Sequence, residues 1–192
     1  MKPVLLRGAV VEDPLGVVLG YVDAWSLSES LDERPTTFGE SDLRRANRAG
    51  ARISAAEIAA VLERRRAIER ELRAIDPVAS LTGSVPWEHL RRLFDAFAGV
   101  RGVGFSKMTK ALHPKRPALI PMLDSVVQGY LADDDVPDAP FGERAVALTR
   151  GYKRDLDGNL AAVRAVRREL AKRDRPLTEV RILDLLVWSI AA

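Results

Sequence analysis

Apolar residues recur along most of this chain with a period near 3.6, so the pattern predicts helices rather than strands. In a first helix from 14 to about 28, Val18, Tyr21, Val22 and Trp25 fall at i, i+3, i+4 and i+7 and share one face. Turn formers follow at Pro35, Thr36, Thr37 and Gly39, and Ser41 is placed to cap a short helix over 42–49 that Gly50 ends. Ser54-Ala55-Ala56-Glu57 reads as a capping box. It opens a long helix to about Ile75 with Ile58, Val61, Leu62, Ile68 and Leu72 as its apolar stripe, and Asp76-Pro77 stops it. Ser84 and Pro86 introduce a helix whose inward face is Leu90, Leu93, Phe94 and Phe97. A glycine-rich turn over 99–104 leads into a helix over 105–112, then a rigid basic connector from His113 to Pro117 and an extended stretch over 118–123. Asp124 is placed to cap a helix to about Leu131. Beyond a polar loop over 133–140, two helices are expected at about 143–153 and 155–173, broken near Asp157-Gly158. A last helix enters through Pro176 and Thr178 and turns Val180, Leu183, Leu186, Val187 and Ile190 inward.

Eight or nine helices with little or no sheet predict an all-α fold, an orthogonal multi-helix domain. With 192 residues the chain fits one domain. It also fits two lobes, about 1–35 plus 133–192 and about 36–132. Apolar residues make up 47%, enough for a full core. Cysteine is absent, which excludes disulfides, thiolate zinc sites and cysteine-bound iron–sulfur clusters. His89 and His113 are too isolated for metal-ligand spacing, so no metal and no cofactor are expected. The first residues are too short an apolar run for a signal peptide, and no stretch has the length of a membrane span. The expected compartment is the cytoplasm.

The net charge of +3 is mild, but its distribution is not even. Between Asp95 and Asp124 there is no acidic residue, whereas Arg101, Lys107, Lys110, Lys115 and Arg116 all fall there. Asp133, Asp134, Asp135 and Asp138 follow. A positive pole of this kind attracts polyanions. Within it, Gly102-Val103-Gly104 sits between two helices. Two glycines let the backbone turn tightly and approach a neighbour closely. The amides that open the next helix, with its dipole, suit a phosphate oxygen. Ser106 lies in that first turn, and Lys107 and Lys110 are three apart on the same helix. Such contacts hold a nucleic-acid backbone without reading its sequence.

From Leu93 to about Leu131 the chain resembles the helix-hairpin-helix plus Gly/Pro/Asp segment of the endonuclease III-like DNA glycosylases. The resemblance rests on Gly102-Val103-Gly104 followed, twenty residues after Gly104, by Leu123-Asp124-Ser125. It implies a DNA partner and a DNA-repair role. Gly102, Gly104, Ser106, Lys107, Lys110, Lys115 and Arg116 would hold the DNA backbone, and Asp124 would stabilise positive charge on the sugar of a flipped nucleotide. Arg101 replaces the family's usual proline, and Ser106 stands where bifunctional members carry a Schiff-base lysine. The implied enzyme is therefore monofunctional, with water as nucleophile. The chain as a whole also resembles an uncharacterised bacterial family, which brings no activity with it.

Plainer readings of the same residues stand beside this one. Asp124 fits a simple N-cap, and the lysines fit a solvated face. Asp133–Asp135 lacks the glycine and distal glutamate of a calcium loop. His113 reads as a turn or surface residue, His89 as half-buried, and Arg181 with Asp184 as a structural pair. Tyr21, Trp25, Trp87, Tyr130 and Tyr152 are candidates to line a base pocket. A non-catalytic DNA-binding module, or a helical interaction or small-molecule protein unrelated to nucleic acid, fits the same sequence.

Overall fold

The computed structural model describes residues 2–25 and 32–191. The chain opens with a small antiparallel hairpin, β1 (Val4–Leu6) and β2 (Ala9–Val11), paired Val4 to Val11, Leu5 to Val10 and Leu6 to Ala9. Arg7 and Gly8 form its two-residue turn, and both have positive φ (48° and 92°). That is the backbone geometry that matches the twist of flanking strands. Val4 and Leu6 are buried while Leu5 faces out. The alternation is too short, at three residues per strand, to register against the helical pattern around it.

Nine α-helices follow among the described residues, in agreement with the all-α expectation: α1 (Pro14–Trp25), α2 (Glu40–Arg48), α3 (Ala55–Glu63), α4 (Arg65–Ala74), α5 (Trp87–Asp95), α6 (Phe105–Leu112), α7 (Ser125–Tyr130), α8 (Phe141–Ala171) and α9 (Glu179–Ala191). The expected end of the first helix, beyond Trp25, lies outside the described residues, as does the side chain of Trp25. No helix is long and apolar enough to cross a membrane among the described residues.

Three helix boundaries differ from the sequence pattern. The helix expected over 55–75 divides at Arg64, where the backbone has φ −95° and ψ 4° and the N–H bonds run to the third residue back. No glycine or proline marks this break. The two helices expected after 143 are one, α8, because the buried series Tyr152, Leu156, Val163, Val166 and Leu170 holds helical register across Gly158. A mid-helix glycine costs only about 1 kcal/mol, which that burial outweighs. α2 starts two residues earlier than Ser41 would place it. Gly39 is the cap residue, and the Asp42 carboxylate reaches back to accept its N–H at 2.9 Å.

α8 is the spine. Its 31 residues span about 46 Å at 1.5 Å per residue. α5, α9, α1 and β1 pack along it, α7 packs on α9, and α2 packs on α6. Asn159 of α8 brackets β1: it accepts the Leu5 N–H and donates to the Leu5 carbonyl, both at 2.8 Å. The buried apolar residues of these elements join in one cluster, with Leu90, Leu93, Phe94 and Phe97 of the α5 segment inside it as their periodicity predicts.

Candidate nucleic-acid interface

The hairpin between α5 and α6 is built from alternating anchors and glycines. Val100 and Val103 are buried, and the Val103 N–H closes the turn on the Val100 carbonyl at 3.0 Å. Gly102 between them has φ +82°, a conformation that costs glycine nothing. Gly104 then takes the N-cap position of α6 in extended geometry and has no side chain to cap with. The first intrahelical bond runs from Met108 N–H to the Gly104 carbonyl. The amides of Phe105, Ser106 and Lys107 are therefore the orphan donors of the helix start. Arg101 is exposed, Ser106, Lys107 and Lys110 are partly exposed, and neither Arg101 nor Lys110 makes an ion pair among the described residues.

Lys107 already holds an anion. Its ammonium donates to both Glu57 carboxylate oxygens at 2.8 Å. Glu57 is the distal residue of the capping box, where it also accepts the Ser54 N–H at 2.8 Å, while Ser54 Oγ accepts the Glu57 N–H. The Lys107 hydrogen bond, then the Ser54 amide, hold the Glu57 carboxyl below its usual range. The carboxylate lies so close to Gly102 that a Cβ there would collide with it. A fifty-residue separation hid this contact from the sequence.

The basic connector folds inward. Lys115 is buried, and its ammonium meets Asp32 at 3.1 Å, Asp42 at 2.9 Å and the Arg34 carbonyl at 3.2 Å. Arg116 has no exposed surface. Its guanidinium donates to the carbonyls of Pro35 (2.8 Å), Lys115 (2.6 Å), Ile75 (2.7 Å) and Leu72. Two of those acceptors belong to the last turn of α4 and its C-cap, so Arg116 satisfies helix-end carbonyls with a cation at the negative pole. The sequence expectation that Lys115 and Arg116 contact a DNA backbone is thereby corrected: both are spent inside the fold. His113 is likewise buried rather than on the surface, with Nδ1 2.6 Å from the Ile120 carbonyl.

Asp124 is 8% exposed and caps α7 as its position predicts. Oδ1 accepts the N–H groups of Val126 and Val127, both at 3.1 Å, and Oδ2 accepts Trp188 Nε1 at 3.0 Å. The segment before it is tied to α6, because the Leu123 N–H donates to Thr109 Oγ1 at 3.0 Å. It is also tied to α9, through the Met122 N–H and the buried Asp184 carboxylate at 3.4 Å. Removing Asp124 therefore affects a helix start and an interhelix contact. Asp124→Ala is expected to lower stability by about 1–2 kcal/mol, the usual cost of losing such a cap, and Asp124→Asn by less, because one acceptor oxygen remains. Chemical denaturation of the two variants checks the order.

The four candidate aromatics with described side chains do not converge. Tyr152 is fully buried with its hydroxyl on the Val180 carbonyl, and Tyr130 donates to Asp155 while Arg7 lies over its ring. Trp87 is half-buried beneath Arg150, and Tyr21 packs against the core. Two of the three aspartates in the acidic triplet are engaged by arginines: Asp134 by Arg7 and Arg154, Asp135 by Arg144. No group of three or more side chains fit to hold a metal ion gathers among the described residues. Arg181 and Asp184 approach to 3.9 Å.

No curated protein and no solved structure matches this chain. A family model does match, over residues 17–191, nearly its whole length. The chain belongs to DUF6308, a family of unknown function.

Proposed function

We propose that this protein binds the phosphate backbone of duplex DNA through its helix-hairpin-helix, and that Asp124 serves it as a helix cap rather than as a catalyst. One observation carries the reading: three uncapped amides at the start of α6, behind a tight glycine turn, are flanked by Arg101 and Lys110, neither ion-paired among the described residues, and by Lys107, which Glu57 holds. A phosphate oxygen is the ligand that such amides, a helix dipole and neighbouring cations suit together. The contact reads no bases, so binding would be independent of sequence and steeply dependent on salt. Against a catalytic Asp124 stands the commitment of both its oxygens to donors inside the fold.

Fluorescence anisotropy with a labelled duplex tests this. Binding at low salt is expected to weaken about tenfold or more in Arg101→Glu/Lys110→Glu, in line with the affinity that salt-sensitive phosphate contacts carry. Glu57→Gln is expected to tighten it, because glutamine keeps the capping box while releasing Lys107. No shift at low salt, or a double variant that binds like the parent, would remove the proposal. Base release from lesion-bearing duplexes, abolished in a stable Asp124→Asn variant, would replace it with the glycosylase reading.

A further inference from the structure

The second half of α8 carries a groove that the hairpin does not explain. Arg164, Arg167, Arg168 and Ala171 stand at i, i+3, i+4 and i+7, so they share one helical face. That face forms one wall of a groove of about 600 Å³ whose other side is Val78, Ser80, Thr82, Ala118, Thr178 and Glu179. The volume is within the range of small-molecule sites.

The far side is stapled together from segments distant in sequence. The Leu81 N–H donates to the Ala118 carbonyl at 2.9 Å. Lys153 Nζ ties the Leu81 carbonyl to α8 at 2.7 Å, and Thr178 Oγ1 donates to the Pro117 carbonyl at 3.1 Å. The 80–82 loop is further fixed by Ser80 Oγ, which accepts the Thr82 N–H at 3.1 Å.

Charge in the groove is unbalanced. Three guanidinium groups meet one carboxylate, the buried Glu179. Glu179 Oε1 takes Arg167 at 2.7 Å and stands 3.8 Å from Arg164. Arg168 has no acidic partner among the described residues. Glu179 thus holds Arg167 closely and Arg164 more loosely, and one carboxylate among three guanidinium groups leaves a net positive charge facing the groove. Guanidinium groups are suited to phosphate through paired N–H donors. At the rim Val78 is 80% exposed, an apolar surface beside the cations.

The groove is not a continuation of the hairpin. Arg144, near the start of α8, lies over the Phe105 ring at the hairpin helix. Arg164 is twenty residues further on, about 30 Å along the axis and turned by about 200°. We infer that this groove is a separate binding site for a small molecule bearing a diphosphate group, held by Arg164 and Arg168, with its apolar part against Val78, Ala118 and Ala171. A nucleoside diphosphate has that chemistry.

Isothermal titration of the full chain with inorganic pyrophosphate and with ADP, at physiological salt, tests the assignment. The expected result is saturable one-to-one binding of both, tighter for ADP. A loss of at least tenfold is expected in Arg164→Ser/Arg168→Ser, and no change in Arg101→Glu/Lys110→Glu. No saturation by either probe at millimolar concentration would overturn it. So would an equal loss in both double variants, which would make the attraction one of general charge. Displacement of bound ADP by duplex DNA would assign these arginines to nucleic acid instead and overturn the small-molecule site. DNA binding through the hairpin is read on the other double variant, so either proposal can fail alone.

Discussion

Arg116→Ala is expected to lower the unfolding free energy by about 3–5 kcal/mol, because each buried carbonyl left without its donor costs about 1–3 kcal/mol. The substitution leaves helix-end carbonyls of Leu72 and Ile75, with that of Pro35, without their donor in a place that water does not reach. It also empties the volume of the largest fully buried side chain among the described residues. For a chain of this size each kcal/mol moves the melting temperature by about 2–4 °C, so a drop of roughly 10 °C is expected. Arg116→Lys is expected to recover only part of it, since one ammonium cannot reproduce a planar fork that reaches carbonyls in three directions. Burial lowers the Arg116 pKa, with Asp76 opposing, yet a guanidinium stays protonated and needs every acceptor it has. An unchanged melting temperature, paired with weaker DNA binding, would return Arg116 to the surface role its sequence context suggests.

Asp184→Asn is expected to change how stability depends on pH. The Asp184 carboxyl is 1% exposed and its Oδ1 has no hydrogen-bond partner. Burial pushes its pKa up to about 7, against the opposing pull of Arg181 and His113. A carboxyl raised in the folded state keeps a proton that the unfolded chain releases from pH 3.8 upward. Stability from this group is therefore greatest at low pH, falls by about 1.4 kcal/mol per pH unit as pH rises through that window, and levels off above about 7. Asparagine does not titrate. The difference between parent and variant should shift in favour of the variant by several kcal/mol between pH 4.5 and 7.5, whatever constant offset the amide introduces. Urea denaturation across that range reads the slope directly. Parallel curves would show that Asp184 is ionised throughout.

These residues mark where the sequence is readable and where it is not. The α6 helix and the Asp124 cap were legible because their causes are local: an apolar period, a glycine before the first turn, an oxygen two or three residues from the amides it accepts. Arg116 and Lys115 were not. Five cations in a run without acids look the same whether they face water or the interior, and the carbonyls of Pro35 and Ile75 that draw Arg116 inward sit 81 and 41 residues upstream. The same holds for Lys107, whose partner Glu57 was legible only in its local role as a capping-box residue. Asp184 read as one half of a structural i, i+3 pair with Arg181. Only packing of α9 against α7 and α8 turns it into an enclosed acid. β1 and β2 escaped because three-residue strands offer too few alternations to compete with a helical background.

The Glu57–Lys107 pair makes occupancy of the hairpin an exchange of anions rather than an addition. A polyanion that takes Lys107 frees a carboxylate of the protein itself, so this ammonium brings no net gain in neutralised charge. The salt dependence of binding then reports only those cations that were unpaired beforehand, and falls short of the number of contacts made. Lengthening the distance between α3 and α6 would restore the missing increment without altering a single residue of the hairpin.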